Sequence, residues 1–350
     1  MIRTKRAAAW ISAAILFASC QQEPLAIRAF AGPTMGSSYE VKFAARLPLA
    51  EVRSIVTSEL RAFDLAFSNW RDDSEIARLN AIRSTEPLAL TPRFAEVLTE
   101  ALKVAAATDG AFDPTLKPLS TLYRRAKDGE PEALARASVD AACQRVGYQL
   151  VRVVDGKLIK KRADVELDLD GIVAGAAADA IGARLRKAGV MSYYLQITGE
   201  VLCHGRKPNG DAWRIGVVDP DSDRLGGDRA VRSLPLQDRS LCSSGDYRNA
   251  VIVEGRVVHH VFDPRTGRNP EHTVVSASVL ADRCAVADAV GTALMVAGDA
   301  EVEALYAKLV PLGVHGLLLL KPGEEKRWQQ VEVQWPSGEG GEGAQGREDR

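Results

Sequence analysis

The chain has 350 residues, 46% of them hydrophobic, and a formal net charge of −1 at neutral pH. A chain of this length can bury one large core or two modest ones, so a globular protein is expected. The near-zero charge lacks the basic excess of nucleic-acid-binding proteins, and we therefore predict no nucleic-acid partner.

The N-terminus has the features of a bacterial export signal. Three basic residues precede an apolar run at residues 7–17, which is too short to span a bilayer. The small residues that lead to Cys20 resemble the lipobox of bacterial lipoproteins, although Phe17 stands where leucine is commoner. This resemblance implies that residues 1–19 are removed and that a lipidated Cys20 anchors the mature chain to a membrane, facing the periplasm or the cell exterior. The alternative is an ordinary cleaved signal with a chance cysteine.

Two stretches carry apolar residues at helical spacing. Residues 50–67 place them on one stripe, and residues 94–105 repeat the pattern before Asp109 and Gly110 end it. Both stretches are predicted to be helices that pack on the core.

Two pairs of alternating segments predict β-hairpins. The first joins residues 148–154 to 157–169, and the second joins residues 250–253 to 256–262. Because hairpin strands are antiparallel, they argue against a purely parallel, doubly wound sheet. We predict an α+β fold in which helices pack on mixed or antiparallel sheets.

A stretch of small residues, DLDGIVAGAAADA, occupies residues 168–180. It follows an apparent strand at residues 164–167 and opens a helix that continues to Leu185. Small side chains let the backbone approach a ligand closely, although a tightly packed helix would need the same alanines.

Four cysteines remain after the lipobox, and no two of them have the CxxC spacing of a zinc site. In an exported protein one or two disulfides are an option, but buried free thiols are the default expectation. These residues are Cys143, Cys203, Cys242 and Cys284.

Asp288 and Thr292 lie four residues apart in a helical pattern, which places a carboxylate and a hydroxyl on one face. A hard cation such as Mg2+ accepts oxygen ligands of this kind and leaves its other positions to water and phosphates. A local hydrogen bond between the two side chains is the alternative interpretation.

A polar cluster precedes that pair. Residues 243–248 place hydroxyls, a glycine and a charge pair in one short turn, and His260 and Asp263 follow across the second hairpin. Adjacent residues of a strand point to opposite faces, so only one of His259 and His260 is expected in a site. We select His260, because it lies three residues before Asp263 and because histidine suits proton transfer near neutral pH.

The last residues, 336–350, contain no large apolar residue and are predicted to be disordered. Neither an internal repeat nor a linker rich in proline and glycine divides the preceding part. Residues 20–335 are therefore expected to form the functional domain.

Ordered motifs along residues 28–320 resemble those of the FAD:protein FMN transferases, the ApbE-like family. Their number and their order carry the resemblance, since each motif alone is a weak signal. The motifs are Thr34-Met35-Gly36 with Tyr39, Ser68-Asn69-Trp70 with residues 74–80, residues 110–114, residues 168–179, residues 244–247, residues 260–267, and residues 287–289 with Thr292.

The resemblance implies an ApbE-like flavin transferase fold and a Mg2+-dependent activity. Such an enzyme splits the pyrophosphate of FAD and attaches FMN to a serine or threonine hydroxyl of an acceptor protein, releasing AMP. For an exported lipoprotein, the acceptors would be exported electron-transfer proteins.

The resemblance also assigns roles to matching residues. His260 would help to deprotonate the acceptor hydroxyl. The backbone carbonyl of Gly171 would join Asp288 and Thr292 around the metal, with Gly291 close by. The residues implied to bind FAD are Met35, Trp70, Ala111, Phe112, Asp113, Asp168 and Phe262.

Two positions depart from the family pattern. Ala174 stands where the family has a lysine that contacts FAD, and Arg248 or Arg265 are the candidates for a replacement cation. Thr198 stands where a glycine is usual, in a Thr-Gly-Glu sequence. The loss at Ala174 leaves two alternatives: a flavin-nucleotide-binding lipoprotein with weak or no transferase activity, and a pyrophosphatase that converts FAD to FMN and AMP.

Overall fold

The structure is a computed structural model that describes residues 25–222, 229–245, 250–253, 256–259, 261–324, 327–337 and 339–340. The predicted signal with Cys20, the residues Arg248 and His260, and the tail beyond residue 340 lie outside the described residues. The strands, numbered in chain order, are β1 Arg28–Thr34, β2 Ser37–Phe43, β3 Leu88–Ala89, β4 Val151–Val154, β5 Lys157–Lys160, β6 Tyr193–Ile197, β7 Glu200–His204, β8 Trp213–Val218, β9 Ala230–Leu236, β10 Arg239–Gly245, β11 Ala250–Val253, β12 Arg256–His259, β13 Ser276–Ala281, β14 Val314–Pro322, β15 Trp328–Val333 and β16 Glu339–Gly340.

Helices occupy the connections between these strands. Three short 3-10 segments lie at Pro131–Leu134, Tyr148–Leu150 and Val310–Leu312. The α-helices are α1 Leu49–Phe67, α2 Glu75–Ala81, α3 Pro92–Ala107, α4 Lys117–Lys127, α5 Arg136–Cys143, α6 Asp170–Lys187, α7 Cys284–Ala297 and α8 Val302–Leu309.

Eight strands form the central sheet, in the order β1-β2-β6-β7-β10-β13-β14-β15. Every neighbouring pair in it is antiparallel. Three smaller sheets, β11-β12, β16-β9-β8 and β3-β5-β4, are antiparallel as well. The predicted α+β fold with helices packed on antiparallel sheets is confirmed.

The central sheet is buried on both faces, and the four consecutive leucines of β14 show why. Leu317 and Leu319 point into the large core under the helices, whereas Leu318 and Leu320 point into a second core beneath β8 and β9. Successive strand residues face opposite sides, so a strand buried on both sides needs an uninterrupted apolar run.

The two long helices on the sheet, α6 and α7, touch backbone to backbone. A Cβ placed on Gly175 of α6 would overlap the carbonyl oxygen of Cys284 at the start of α7. The alanines around Gly175 are buried in the same contact. Close packing therefore accounts for most of the small-residue stretch.

Several predicted boundaries change. The two apolar stretches are helices, α1 and α3, and each is a residue or more longer than its pattern. The hairpin β4-β5 exists, but its second strand ends at Lys160. The apparent strand at residues 164–167 is wrong: residues 165–169 pair with no strand, and α6 begins at Asp170. Glu339 and Gly340, within the predicted disordered tail, pair with β9.

The four cysteines of the described residues are free thiols, and Cys203, Cys242 and Cys284 are buried. The default expectation of buried thiols therefore holds for these three. In the part of the chain that the structure describes, no helix is both long enough and apolar enough to cross a bilayer.

Gly175→Ala is expected to lower the free energy of unfolding by about 1–3 kcal/mol, because the added methyl group meets the rigid carbonyl of Cys284. A loss of stability would be informative, because replacing glycine with alanine inside a helix otherwise stabilises a protein by up to about 1 kcal/mol. Denaturant unfolding followed by circular dichroism measures the effect. Ala183→Leu, on the exposed side of the same helix, should change stability by less than about 0.5 kcal/mol. A Gly175→Ala protein as stable as the parent would contradict the close contact.

Candidate active site

A cavity of about 530 Å³ opens where the beginning of α6 meets α7, α4 and the end of β10. It collects side chains that are far apart in the sequence, which is typical of a ligand site. The predicted site residues that line it are Trp70, Ala111, Phe112, Asp113, Asp168, Gly171, Phe262, Asp288 and Thr292.

Aromatic side chains form one part of the wall. Phe262 is buried and meets Tyr123 edge to face, with ring centroids 5.7 Å apart. Trp70 is instead 77% exposed, and the guanidinium of Arg124 lies 4.3 Å above its ring. An exposed indole beside a cavity is suited to stacking on a planar ligand.

Asp113 lies in the wall, but its carboxylate is turned into the fold. One oxygen accepts hydrogen bonds from the backbone and hydroxyl of Thr115 at 2.8 and 2.6 Å, and the other accepts from the backbone N–H of Tyr148 at 2.6 Å. The aspartate thus shapes the loop that presents Ala111 and Phe112 to the cavity.

Asn69 connects two carboxylates beside α6. Its amide nitrogen donates to Asp168 at 3.1 Å and to Asp170 at 2.8 Å, while its oxygen accepts from the ammonium of Lys117 at 2.6 Å. Ser120 donates to the other oxygen of Asp168 at 2.5 Å. The predicted FAD contact Asp168 is therefore held in place by Asn69 and by Ser120 of α4.

The charged groups in this network alter each other's pKa values. Protein atoms surround the Asp170 carboxylate although its surface stays open to the cavity. Burial, and then the neighbouring Asp168, raise the pKa of Asp170 to about 7. Burial lowers the pKa of Lys117, and the two aspartates oppose that shift. The group of Lys117 with two aspartates is thus close to charge balance.

The first turn of α6 is irregular at Gly171, whose φ of −84° and ψ of 17° depart from helical values. The N–H of Gly175, which would serve the Gly171 carbonyl in a regular helix, donates to Asp288 at 3.0 Å. A Cβ on Gly171 would lie 3.1 Å from the hydroxyl of Thr292. The two helices therefore bring the Gly171 backbone, Asp288 and Thr292 together.

Glu200 is a fourth carboxylate in this wall. Burial raises the pKa of Asp288 well above its usual range, and the nearby Glu200 adds to the shift. Burial also raises the pKa of Glu200, which accepts a hydrogen bond from Thr198 at 2.5 Å. Thr198, which departs from the family pattern, thus holds Glu200 in place. Its φ of 56° shows that this position of the turn has a left-handed backbone conformation.

These oxygens fit a hard divalent cation. In the described residues no three side chains of histidine, cysteine, aspartate and glutamate cluster as a metal site. Mg2+ does not need such a cluster, since one or two carboxylates with hydroxyl, carbonyl and water ligands suffice. Buried carboxylates such as Asp288 and Glu200 cannot both be ionised cheaply unless a cation neutralises them.

Two predicted site residues lie outside the cavity lining that the structure describes. Met35 sits in the turn between β1 and β2, half-buried against the large core, with a φ of 47°. Gly291 makes room for a neighbour, because a Cβ there would lie 2.8 Å from the hydroxyl of Ser244. Ser244 itself lines the cavity.

Of the cation candidates for position 174, Arg265 is described and does not line the cavity. Ala174 is 8% exposed. The guanidinium of Arg265 forms an ion pair with Asp263 at 2.8 Å, and Arg265 is not among the described cavity residues. The proposed base His260 and the second candidate, Arg248, lie outside the described residues.

The sequence patterns identify neither Glu200 as an acid of the cavity nor the cations of α4. Glu200 was noted only as part of a turn, and α4 was not predicted at all, although it contributes Ser120, Arg124 and Lys127 to the wall. The sequence signal was available for α4, since polar residues recur there at helical spacing.

Comparisons with known proteins agree with this geometry. The sequence matches the model of the ApbE family over residues 35–314. It is 30% identical to the FAD:protein FMN transferase of Salmonella typhimurium, over 91% of this chain and 93% of that protein. It is also 30% identical to the FAD:protein FMN transferase of Vibrio cholerae, over 83% of this chain and 86% of that protein.

Solved structures give the same match. The apo form of the flavinyl transferase ApbE from Pseudomonas stutzeri superposes with a TM-score of 0.77 at 30% identity, covering 89% of this chain and 95% of that one. The flavin transferase ApbE from Vibrio cholerae superposes with a TM-score of 0.76 at 27% identity, covering 88% and 97%.

Asn80→Ala is expected to lower the free energy of unfolding by about 2–4 kcal/mol. The buried N–H and carbonyl groups of Leu167 would both lose their hydrogen-bond partner. In the parent, the Asn80 side chain donates to the Leu167 carbonyl at 2.8 Å and accepts from its N–H at 2.7 Å. Thermal and denaturant unfolding measure the loss. Asn209→Ala, at an exposed turn, is the control and should cost less than about 0.5 kcal/mol. Equal effects of the two changes would refute this role of Asn80.

Proposed function

The chain belongs to the ApbE family of FAD:protein FMN transferases, and from its cavity we propose that it attaches FMN to a serine or threonine hydroxyl of an acceptor protein, in a Mg2+-dependent reaction that releases AMP. The observation that carries this proposal is one cavity with two kinds of wall. Trp70, Phe112 and Phe262 offer aromatic surface, and Asp288 with Thr292 and the start of α6 offers oxygen ligands. A flavin dinucleotide needs both.

The reaction is a substitution at phosphorus. The acceptor oxygen forms a new bond to the flavin-side phosphorus of FAD while the bond from that phosphorus to the bridging oxygen breaks. AMP leaves with the electron pair of the broken bond, and the hydroxyl proton passes to a base. His260 is the proposed base, on the strength of its place in the family motif. Phosphoryl transfer of this kind depends chiefly on positioning and on charge neutralisation.

The carboxylate side of the cavity supplies the neutralisation. We assign Asp288, Thr292 and the Gly171 carbonyl as the Mg2+ ligands, with Gly291 close by and Glu200 as a neighbouring acid. When bound, Mg2+ would offset charge on the diphosphate and on the leaving AMP. The N–H of Gly175 serves Asp288, which fixes the orientation of that carboxylate and leaves its second oxygen for a ligand.

The aromatic side of the cavity holds the flavin half of FAD. Phe262 and Phe112 are buried walls, whereas the exposed Trp70, which Arg124 covers on one face, is assigned to stack on the ring system. Asp168, fixed by Asn69 and Ser120, is an acceptor for the polar groups of the substrate. Met35 is also assigned to FAD binding, because of its place in the family motif. The Asp113 carboxylate supports the loop and is not assigned a contact with the ligand.

Asp288→Asn is expected to lower FMN transfer at least about 100-fold, because it weakens the metal site. The chain from Gln21 onward, with FAD, Mg2+ and an acceptor that bears a flavinylation motif, is tested for a fluorescent FMN adduct in a denaturing gel and for released AMP. Chelation by EDTA should stop the parent reaction, and added Mg2+ should restore it.

Asp282→Asn is the matched control, since Asp282 is more than half exposed and faces His315 at 2.6 Å. It should keep the parent rate. An active Asp288→Asn protein would remove Asp288 from the metal site. If the parent binds FAD but forms no adduct, the transferase assignment is contradicted. Release of AMP and FMN without an adduct would indicate a pyrophosphatase.

We further propose that the chain is an exported lipoprotein, which the basic and apolar N-terminal pattern before Cys20 supports. Cys20→Ala is expected to move the protein from the membrane fraction to the soluble exported fraction, because a lipid anchor needs the thiol. Fractionation with immunoblotting measures this, and Cys143→Ala serves as the control. Membrane association that survives Cys20→Ala would refute the anchor.

A further inference from the structure

Helix α4 presents a row of polar residues to the cavity. Lys117, Ser120, Arg124 and Lys127 are spaced by three, four and three residues, which places them on one helical face. Ser120, Arg124 and Lys127 line the cavity, and Lys117 reaches Asn69 beside it. We call this row the α4 basic stripe.

The opposite side of α4 is anchored. Leu119 is buried in a small cluster with Val139 and Ala142 of α5. On the cavity side of the same helix, the ring of Tyr123 packs on that of Phe262. The orientation of the stripe is therefore set by packing and not by its charges.

The members of the stripe differ in their partners. The ammonium of Lys117 is held by Asn69 and lies near Asp168 and Asp170, so its charge offsets these aspartates. The Arg124 guanidinium makes no ion pair with a carboxylate of the described residues, although its charge acts on the nearby Asp170. Its next neighbour in the sequence, Arg125, is paired with Glu130.

Arg124 is also preorganised. Its guanidinium lies over the ring of Trp70, at 4.3 Å from the ring centre, and the indole is itself exposed. Stacking on an aromatic ring leaves the edge of the guanidinium, with its N–H groups, directed outward. A planar cation with free N–H groups beside a cavity is suited to phosphate oxygens.

We propose that Arg124, with Lys127 one turn further along α4, binds the diphosphate of FAD and supplies the positive charge that Ala174 does not. This inference rests on the proposed function, because it takes FAD as the ligand. The charge missing at the start of α6 is thus provided by α4, whose Arg124 and Lys127 belong to the lining of the same cavity. A diphosphate in this cavity would be within reach of both the α4 cations and the oxygen ligands of the metal side.

The test compares Arg124→Ala with Arg125→Ala in FAD binding by the chain from Gln21 onward, which keeps every described residue. Arg124→Ala should weaken FAD binding about 10- to 100-fold, the usual effect of one lost charge-assisted contact. Arg125→Ala removes the same charge from the next position and should stay within twofold of the parent. Isothermal titration measures both, and circular dichroism verifies that the variants fold.

A salt titration separates a phosphate contact from a contact with the flavin ring. The affinity for FAD should fall with added KCl, and Arg124→Ala should make this dependence shallower. Ala174→Lys in the Arg124→Ala background should regain a large part of the lost affinity. Equal losses for the two arginine variants, or a loss with an unchanged salt dependence, would overturn the proposal.

The FAD-binding assay does not depend on FMN transfer, so the two proposals can fail separately. A parent chain that binds FAD but forms no adduct would defeat the proposed transfer while leaving the Arg124 comparison intact. An active parent whose Arg124→Ala variant binds FAD normally would defeat only the role of Arg124.

Discussion

The site depends on the backbone contact between α6 and α7. Gly175 meets the first turn of α7, and hydrogen bonds connect the two helices in both directions. Asp179 of α6 accepts from the N–H groups of Cys284 and Ala285 at 2.9 and 3.1 Å, and Asp288 of α7 accepts from Gly175. Each helix thereby satisfies backbone donors of the other. Larger side chains would separate the helices and move Asp288 and Thr292 away from Gly171.

The cavity is lined by both acidic and basic side chains. Asp288, Glu200 and the pair of Asp168 and Asp170 make the helix side acidic, and burial raises the pKa of Asp288, Glu200 and Asp170. The α4 basic stripe adjoins the pair of Asp168 and Asp170, since Ser120 donates to Asp168 and Lys117 lies near both aspartates. A metal ion between such carboxylates and an anionic substrate would relieve their repulsion.

Departures from the family pattern are absorbed by neighbours in space. Thr198 replaces a glycine and uses its hydroxyl to hold Glu200. Ala174 removes a cation from α6, and α4 offers cations that come from a separate part of the chain. The second adjustment is invisible in a comparison of single motifs, because α4 is distant from Ala174 in the sequence.

The sequence by itself determined the family, the α+β class and most of the residues that gather at the cavity, because these follow from motif order and from local apolar periodicity. It also predicted the pair of Asp288 and Thr292, since spacing along one helix is a local property. Only the tertiary structure decided that the Leu167 backbone is held by Asn80 instead of a strand partner, that Asp113 faces the fold, and that α4 contributes cations to the cavity. These outcomes depend on contacts between distant segments, and local patterns carry no information about which backbone group or charge a distant side chain will meet.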